Sequence, residues 1–356
     1  MQRTNALPKP IVALLGVLLI MGALVLTSCG NSQKTETQDS AKSEGQAQQT
    51  QQNESSDKSD KQKVRIASLK GPTSIGLVSL MDQAKQGKSS NNYEFTIATA
   101  ADEISSGLFK GDYDIVLIPA NMASVMYHKS DSTVSVIDIN TLGVLNVVTG
   151  DTSVTSFSDL AGKTVYMTGK GAVPEYTMNY LLEQNGLAGN VTLEFKDEPT
   201  EVVSVLSKDS NAVGVLPQPF ATAATTKNKD LKAVVDLNDV WEKAAGDDSQ
   251  LITGVTLASK EFVHRNPEVV STFLKEHADS VKAANDDPSA VAPLVVAEGI
   301  IDSETVAAKA IPDCHLVCIT GKEMKTALSG YLKTLFNTDS SSVGGTLPGD
   351  DFYYVE

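Results

Sequence analysis

The sequence predicts an α/β protein built from two lobes of similar topology, each around a small βαβ sheet. Two observations lead there. A strand–loop–helix order recurs at domain scale, and each series closes on a continuous apolar strand ended by proline: residues 115–118 before Pro119, and residues 213–216 before Pro217. The stretch that follows is mostly helical and lacks a full sheet of its own, so it is expected to pack back on the first lobe.

The elements follow in order. Residues 64–69 read as a strand and 70–74 as a loop, with Ile75, Val78, Leu80 and Met81 marking the helix after it. Residues 93–98 alternate as a strand does, 102–109 suit a short helix, and 115–118 make a buried parallel strand. The second series repeats this. Residues 163–168 form a strand and Gly169-Lys170-Gly171 a loop. Residues 174–185 form a helix with proline in its first turn and Gly186 as its stop. A strand at 191–195, a helix at 201–206 and a strand at 213–216 complete it. Helices are then expected over 267–285, 291–297, 303–311 and 322–336.

Composition narrows the function classes. The chain has 356 residues, is 41% hydrophobic and carries a net charge of -15. Neutralising nucleic-acid phosphates needs clustered Lys and Arg, and no such run exists, so nucleic acid is excluded as a partner. Aromatics are 5% of residues with a single tryptophan, Trp241, which argues against a sugar-stacking site and reads as packing near the return between lobes.

The N-terminus carries Arg3 and Lys9, an uncharged apolar stretch over 11–26, and then Leu26-Thr27-Ser28-Cys29-Gly30. That order is a secretory signal. Its end resembles the bacterial lipoprotein box, with Cys29 as the residue to be acylated and the chain held on the extracytoplasmic face of the membrane. The competing reading, an uncleaved transmembrane helix, meets a stretch slightly short for a span. Residues 30–62 are polar with almost nothing apolar and are expected to be a disordered tether. Its reach is roughly 30 Å. Cys314 and Cys318 remain. They are open to three readings: buried free thiols, a disulfide across a bend, or, with His315, part of a metal site. One His and two Cys are too few for a closed zinc site.

Ligands of open α/β sheets bind beyond the carboxyl ends of the strands, where loops feed helix N-termini. Four loops qualify, two from each lobe. They hold Lys70, Gly71, Thr73 and Ser74; Pro119, Asn121 and Met122; Gly169, Lys170, Gly171, Ala172 and Glu175; and Gln218 and Phe220. A ligand touching all four would bridge the lobes and favour a closed state. Each residue has a plainer role open to it. The glycines can serve tight turns, the lysines can be solvated, Asn121 can cap a helix, and Glu175 can answer a helix dipole. Gln218, held between two prolines, is the hardest to set aside. Lys70 and Lys170 point to an anionic group on the ligand.

Catalytic signatures are missing. Gly162-Lys163-Thr164 ends like a P-loop, but Phe157 stands where the first glycine is required. There is no Gly-x-Ser-x-Gly elbow and no His-Glu-x-x-His. The four histidines are scattered, with His264 and His277 in charged helical contexts that read as surface.

With these residues in place the sequence resembles the solute-binding proteins of ABC transporters, in the branch of nitrate, sulfonate and thiamine-precursor binders. The carriers are Cys29 with its box, the tether, the run Ser158-Asp159-Leu160-Ala161-Gly162-Lys163-Thr164-Val165, Asp112-Tyr113-Asp114-Ile115-Val116, and Phe262-Val263-His264-Arg265-Asn266-Pro267-Glu268. The resemblance implies two Rossmann-like lobes joined by two crossover segments, the type II periplasmic-binding-protein fold. Lobe one would be 63–145 plus 252–356 and lobe two 146–251. The crossings would bring Asn140, Thr141 and Gly143 to the ligand. It further implies a monomer with no cofactor, a small polar ligand and a membrane permease as partner. The family's small hydroxyl residue in the loop opening lobe two is replaced here by Lys170. Two other readings remain: an enzyme on the same scaffold, resembling pyrimidine-precursor synthases or menaquinone-pathway dehydratases, and a surface adhesion or sensor module.

Overall fold

Residues 61–99, 101–246 and 249–355 are described by the structure, a computed structural model. The signal segment, Cys29 and residues 30–60 lie outside the described residues. No helix among the described residues is long and apolar enough to cross a membrane.

The chain opens with β1 (Lys63–Leu69), α1 (Pro72–Ile75), α2 (Val78–Lys85), β2 (Asn92–Ala98), α3 (Ala101–Lys110), β3 (Ile115–Pro119), α4 (Ala120–Lys129) and β4 (Val134–Leu142). It crosses to a second lobe made of β5 (Leu145–Thr149), β6 (Thr164–Met167), α5 (Val173–Gln184), β7 (Thr192–Phe195), α6 (Pro199–Lys208), β8 (Val213–Pro217), α7 (Phe220–Lys227), β9 (Lys232–Asp236) and α8 (Leu237–Ala245). It returns through β10 (Ile252–Ser259) to α9 (Lys260–Arg265), α10 (Pro267–Asp286), α11 (Pro288–Ala297), α12 (Glu304–Ala310), β11 (Leu316–Ile319) and α13 (Gly321–Thr338).

The first sheet runs β11-β4-β10-β3-β1-β2 and the second β7-β6-β8-β5-β9. Apart from β11 the two have one topology. Two parallel pairs come first, β2-β1-β3 in one and β7-β6-β8 in the other. Next lies an antiparallel strand that arrives from the other lobe, β10 beside β3 and β5 beside β8. A last strand closes the row, β4 or β9. The sequence repeat is thus a repeat of topology. The antiparallel strands follow from geometry, because a chain entering a lobe at its hinge end runs against strands that point toward that end.

Local chemistry supports each element. β3 is fully buried over residues 115–118, as a strand covered by helices on both faces must be. Asp114, just before it, ties β3 to β1. Its carboxylate accepts from Arg65 Nε at 3.0 Å and from the terminal guanidinium N–H at 2.6 Å. The run opening lobe two forms a 3₁₀ turn (Phe157–Leu160) with a capping box: Asp159 accepts from the Ser156 backbone while Ser156 holds the N-terminus of the turn. Pro267 occupies the first turn of α10, where a missing N–H costs nothing. Trp241 is fully buried, with ring centroids 4.7 Å from Tyr180 and 5.5 Å from Tyr331. Since Tyr331 lies on α13, this aromatic contact joins the two lobes behind the crossings. Burying large apolar side chains of this kind contributes ~1.5–3 kcal/mol each.

One histidine departs from the surface expectation. His264 is exposed on α9, but His277 is fully buried, with Nδ1 3.0 Å from Asp138 Oδ2. The charges around it in sequence mark the outer face of α10, while His277 itself sits on the inner one. The two cysteines are free: Cys314 is buried in a 3₁₀ turn and Cys318 lies on β11.

Candidate ligand-binding cleft

The strand-end loops of both lobes converge on a cavity of about 480 Å³ beside the two crossings. Pro119, Asn121 and Met122, at the start of α4, come from lobe one; Gly171, Ala172 and Thr177, around the start of α5, come from lobe two. Val144 and Leu251 line it from the crossings themselves. The volume lies within the range of small-molecule sites. A smaller cavity of about 270 Å³ is lined by Lys70, Ile300, Asp302 and Ser303 of lobe one and by Pro219 and Phe220 of lobe two.

The remaining expected site residues divide by what they already bind. Thr73 Oγ1 donates to the Leu69 carbonyl at 3.0 Å, and Ser74 Oγ to the same carbonyl at 2.5 Å. Those two hydroxyls close their own loop after Gly71. Asn140 and Thr141 are buried within β4: Asn140 Nδ2 donates to Thr256 Oγ1 at 3.2 Å and Thr141 Oγ1 to Asn140 Oδ1 at 2.9 Å. Gln218 is buried, and its Oε1 accepts from the Thr222 hydroxyl at 2.9 Å and backbone N–H at 3.3 Å, which caps α7. The Gln218–Pro219 bond is cis. Asn121 donates to the Ser342 carbonyl at 3.2 Å. Glu175 turns back and accepts from the Gly171 N–H at 2.5 Å. Lys170 is exposed and is not among the residues lining either cavity.

Two glycines are required by this geometry. Gly169 has φ +85, and a Cβ there would stand 2.6 Å from Pro174, so only glycine lets the loop fold onto the start of α5. A Cβ on Gly143, in the first crossing, would meet Leu251 of the second crossing at 2.6 Å. The two crossings therefore touch.

Sequence reasoning did not reach Val144, Leu145, Leu251, Thr253 or Thr177, which also line the larger cavity. A signal for the first four was present, since crossings necessarily border the cleft. Thr177 lies one turn inside α5 and gives none. Its Oγ1 is buried without hydrogen-bond geometry to any partner, with the buried Tyr331 hydroxyl as its polar neighbour.

A second polar cluster lies in the core of lobe one. Asp138, His277 and Cys318 bring ligand-type atoms within 4.8 Å of one another. Asp138 also accepts from Thr256 Oγ1 at 2.6 Å. Burial and the neighbouring Asp138 push the Cys318 thiol up, and its sulfur lies 3.9 Å from Asp138 Oδ2.

Comparison with known proteins agrees with this architecture. The family model described as NMT1/THI5 like matches residues 131–291, a little under half of the chain. No curated protein sequence matches. Among solved structures, an ABC transporter protein from Parabacteroides distasonis is 19% identical, covers 82% of this chain and 98% of its own, and has a TM-score of 0.70. The periplasmic aliphatic sulphonate binding protein SsuA from Escherichia coli is 12% identical over 82% of this chain and 90% of its own, with a TM-score of 0.64. A putative periplasmic sulfonate-binding protein from Methylobacillus flagellatus is 16% identical over 83% and 92%, with a TM-score of 0.61. At these identities the likeness is one of fold. The resemblance carried by the sequence motifs and the shared topology of the two sheets thus lead to one conclusion: the chain has the two-lobed periplasmic-binding-protein fold.

Proposed function

We propose that this protein is the extracytoplasmic solute-binding component of an ABC importer. It captures one small molecule between its lobes and presents it to a membrane permease. The observation that carries this reading is the 480 Å³ cavity whose wall is shared by both lobes and both crossings. A molecule placed there contacts both lobes only when they are together, so its binding energy favours the closed state. The proteins of like fold are described as ABC-transporter and periplasmic sulfonate-binding proteins, which supports the same role. Acylation at Cys29 and a tether over 30–62 would keep the lobes near the permease, with the protein acting as a monomer.

The enzyme reading is weaker on chemical grounds. Among the described residues lining the cavity none is acidic, histidine, cysteine or lysine, so general acid–base roles lack candidates and the lining threonines have no base there to activate them. The test is mass spectrometry of small molecules released on denaturing freshly purified protein, followed by small-angle scattering with the released compound added back. A compound that returns unchanged and compacts the protein supports the reading. Chemical turnover of it, or no compaction with any bound compound, opposes it.

A further inference from the structure

We infer that the interlobe cavity takes an uncharged, largely apolar molecule, and that Met122 and the self-satisfied loop at Gly171 exclude anions from it. This rests on the proposed role of the cleft and narrows its ligand. No charged side chain is among the described residues lining the cavity; its apolar lining includes Pro119, Met122, Leu145, Pro217 and Leu251, with Asn121, Thr177 and Thr253 as its polar side chains. A buried anion there would lack a partner to offset its desolvation.

One loop donor that an anion would use, the Gly171 N–H, is also engaged. The N-terminus of α5 faces the cavity, but Glu175 sits in its first turn and accepts from the Gly171 N–H. That carboxylate supplies the negative charge that an anionic ligand would otherwise bring to the helix dipole. Lys170 is exposed and outside the lining, and Lys70 belongs to the smaller cavity, where Asp302 also lines the wall. The field of the whole chain acts in the same sense, since its net charge of -15 repels anions from the cleft mouth. What remains for polarity is modest: the Thr253 side chain in the lining and the first-turn amides of α4, which has no acidic residue in that turn. These suit one neutral hydroxyl, carbonyl or amide at the end of an apolar body.

The experiment compares matched probes on the full chain by calorimetry: naphthalene-2-sulfonamide against naphthalene-2-sulfonate, and octanamide against octanoate. The uncharged member of each pair is expected to bind at least about tenfold tighter, a gap of ~1.4 kcal/mol. Met122→Glu, at a half-buried position, is expected to weaken the sulfonamide by a similar factor, and Met122→Lys to shift preference toward the sulfonate. Tighter binding of the sulfonate or octanoate to the unaltered protein, lost in Met122→Glu, would overturn the uncharged class while leaving the cleft as the solute site. Absence of binding by all four probes would also overturn it. If, in addition, no small molecule is released on denaturation, the solute-binding role fails with it.

Discussion

His315, from the segment before β11, presses its Nδ1 on the carbonyl of Gly143 while its Nε2 stands 3.6 Å from Asp236 Oδ2 of lobe two. One side chain of lobe one thus holds both the first crossing and the far lobe. Its backbone is left-handed, with φ 46, so the turn presents the ring at the hinge. His315→Ala should loosen the hinge and lower affinity for a cleft probe such as naphthalene-2-sulfonamide by about threefold to tenfold, up to ~1.4 kcal/mol. His315→Gln, which can still donate to Gly143, should recover part of it. Calorimetry and small-angle scattering on the three proteins provide the check; unchanged affinity and shape in the alanine variant would rule out the hinge role.

The partner carboxyl gives a pH-dependent prediction. Burial pushes the Asp236 carboxyl up; the N–H of Asn238 and the charge of His315 oppose this, while Asp239 and Asp313 add to it. A raised carboxyl favours the folded state only while protonated. Its contribution is complete below the unfolded-state value and is lost as pH rises through the folded-state value. Asp236→Asn keeps an N-cap for α8 and removes that loss. The variant should match the parent in melting temperature near pH 3 and exceed it at pH 7. A constant offset at both pH values would count against the assignment.

The pair Asp138–His277 is fully buried on both sides. Removing Asp138 leaves the buried His277 Nδ1 without its partner, and stranding a buried polar group costs ~1–3 kcal/mol. Asp138→Ala should therefore lower the urea midpoint strongly. The double variant Asp138→Leu/His277→Leu should be less damaging than the sum of the two single changes, since neither group is then left unpartnered. Additive losses in the cycle would show that the two do not interact.

Burial pushes the thiols of Cys314 and Cys318 up, with Asp313 and Asp138 adding to the effect. Thiolate is the reactive form. Iodoacetamide at pH 8 should leave both unmodified in the native protein and alkylate both in urea, as read by peptide mass mapping. Rapid native labelling of Cys314, which is wholly buried, would contradict its placement.

How far the sequence carried these features depends on where each residue's partners lie. Elements with local signals were legible: the helix started by Pro174 and stopped by Gly186, the proline-closed strands β3 and β8, and the repeat that becomes two sheets of one topology. The strands β4, β5, β9 and β10 were not. β4 places Asp138 and Asn140 in its buried stretch, and their partners Thr256 and His277 lie more than a hundred positions away. No local window shows that such polar residues are satisfied. His277 was hidden for the same reason, between the outward-facing Lys275 and Asp279, which pair with each other. In the cleft, the strand-end rule leads to Pro119, Asn121, Met122, Gly171 and Ala172. Whether Thr73, Ser74 or Gln218 has spare hydrogen-bonding capacity depends on loop closure and capping, which only coordinates reveal.

The position of β10 between β3 and β4 has a consequence for biosynthesis. Lobe two is one uninterrupted stretch and can complete its sheet, β5 to β9, as soon as that stretch has been made. Lobe one must wait, with the apolar edge of β3 unpaired, until residues 252–259 arrive. A chain truncated after α8 would carry a finished second lobe on an open sheet edge, a template for strand pairing between copies. Chaperones acting on the growing chain therefore have one interval to guard: from the emergence of β3 to the arrival of β10.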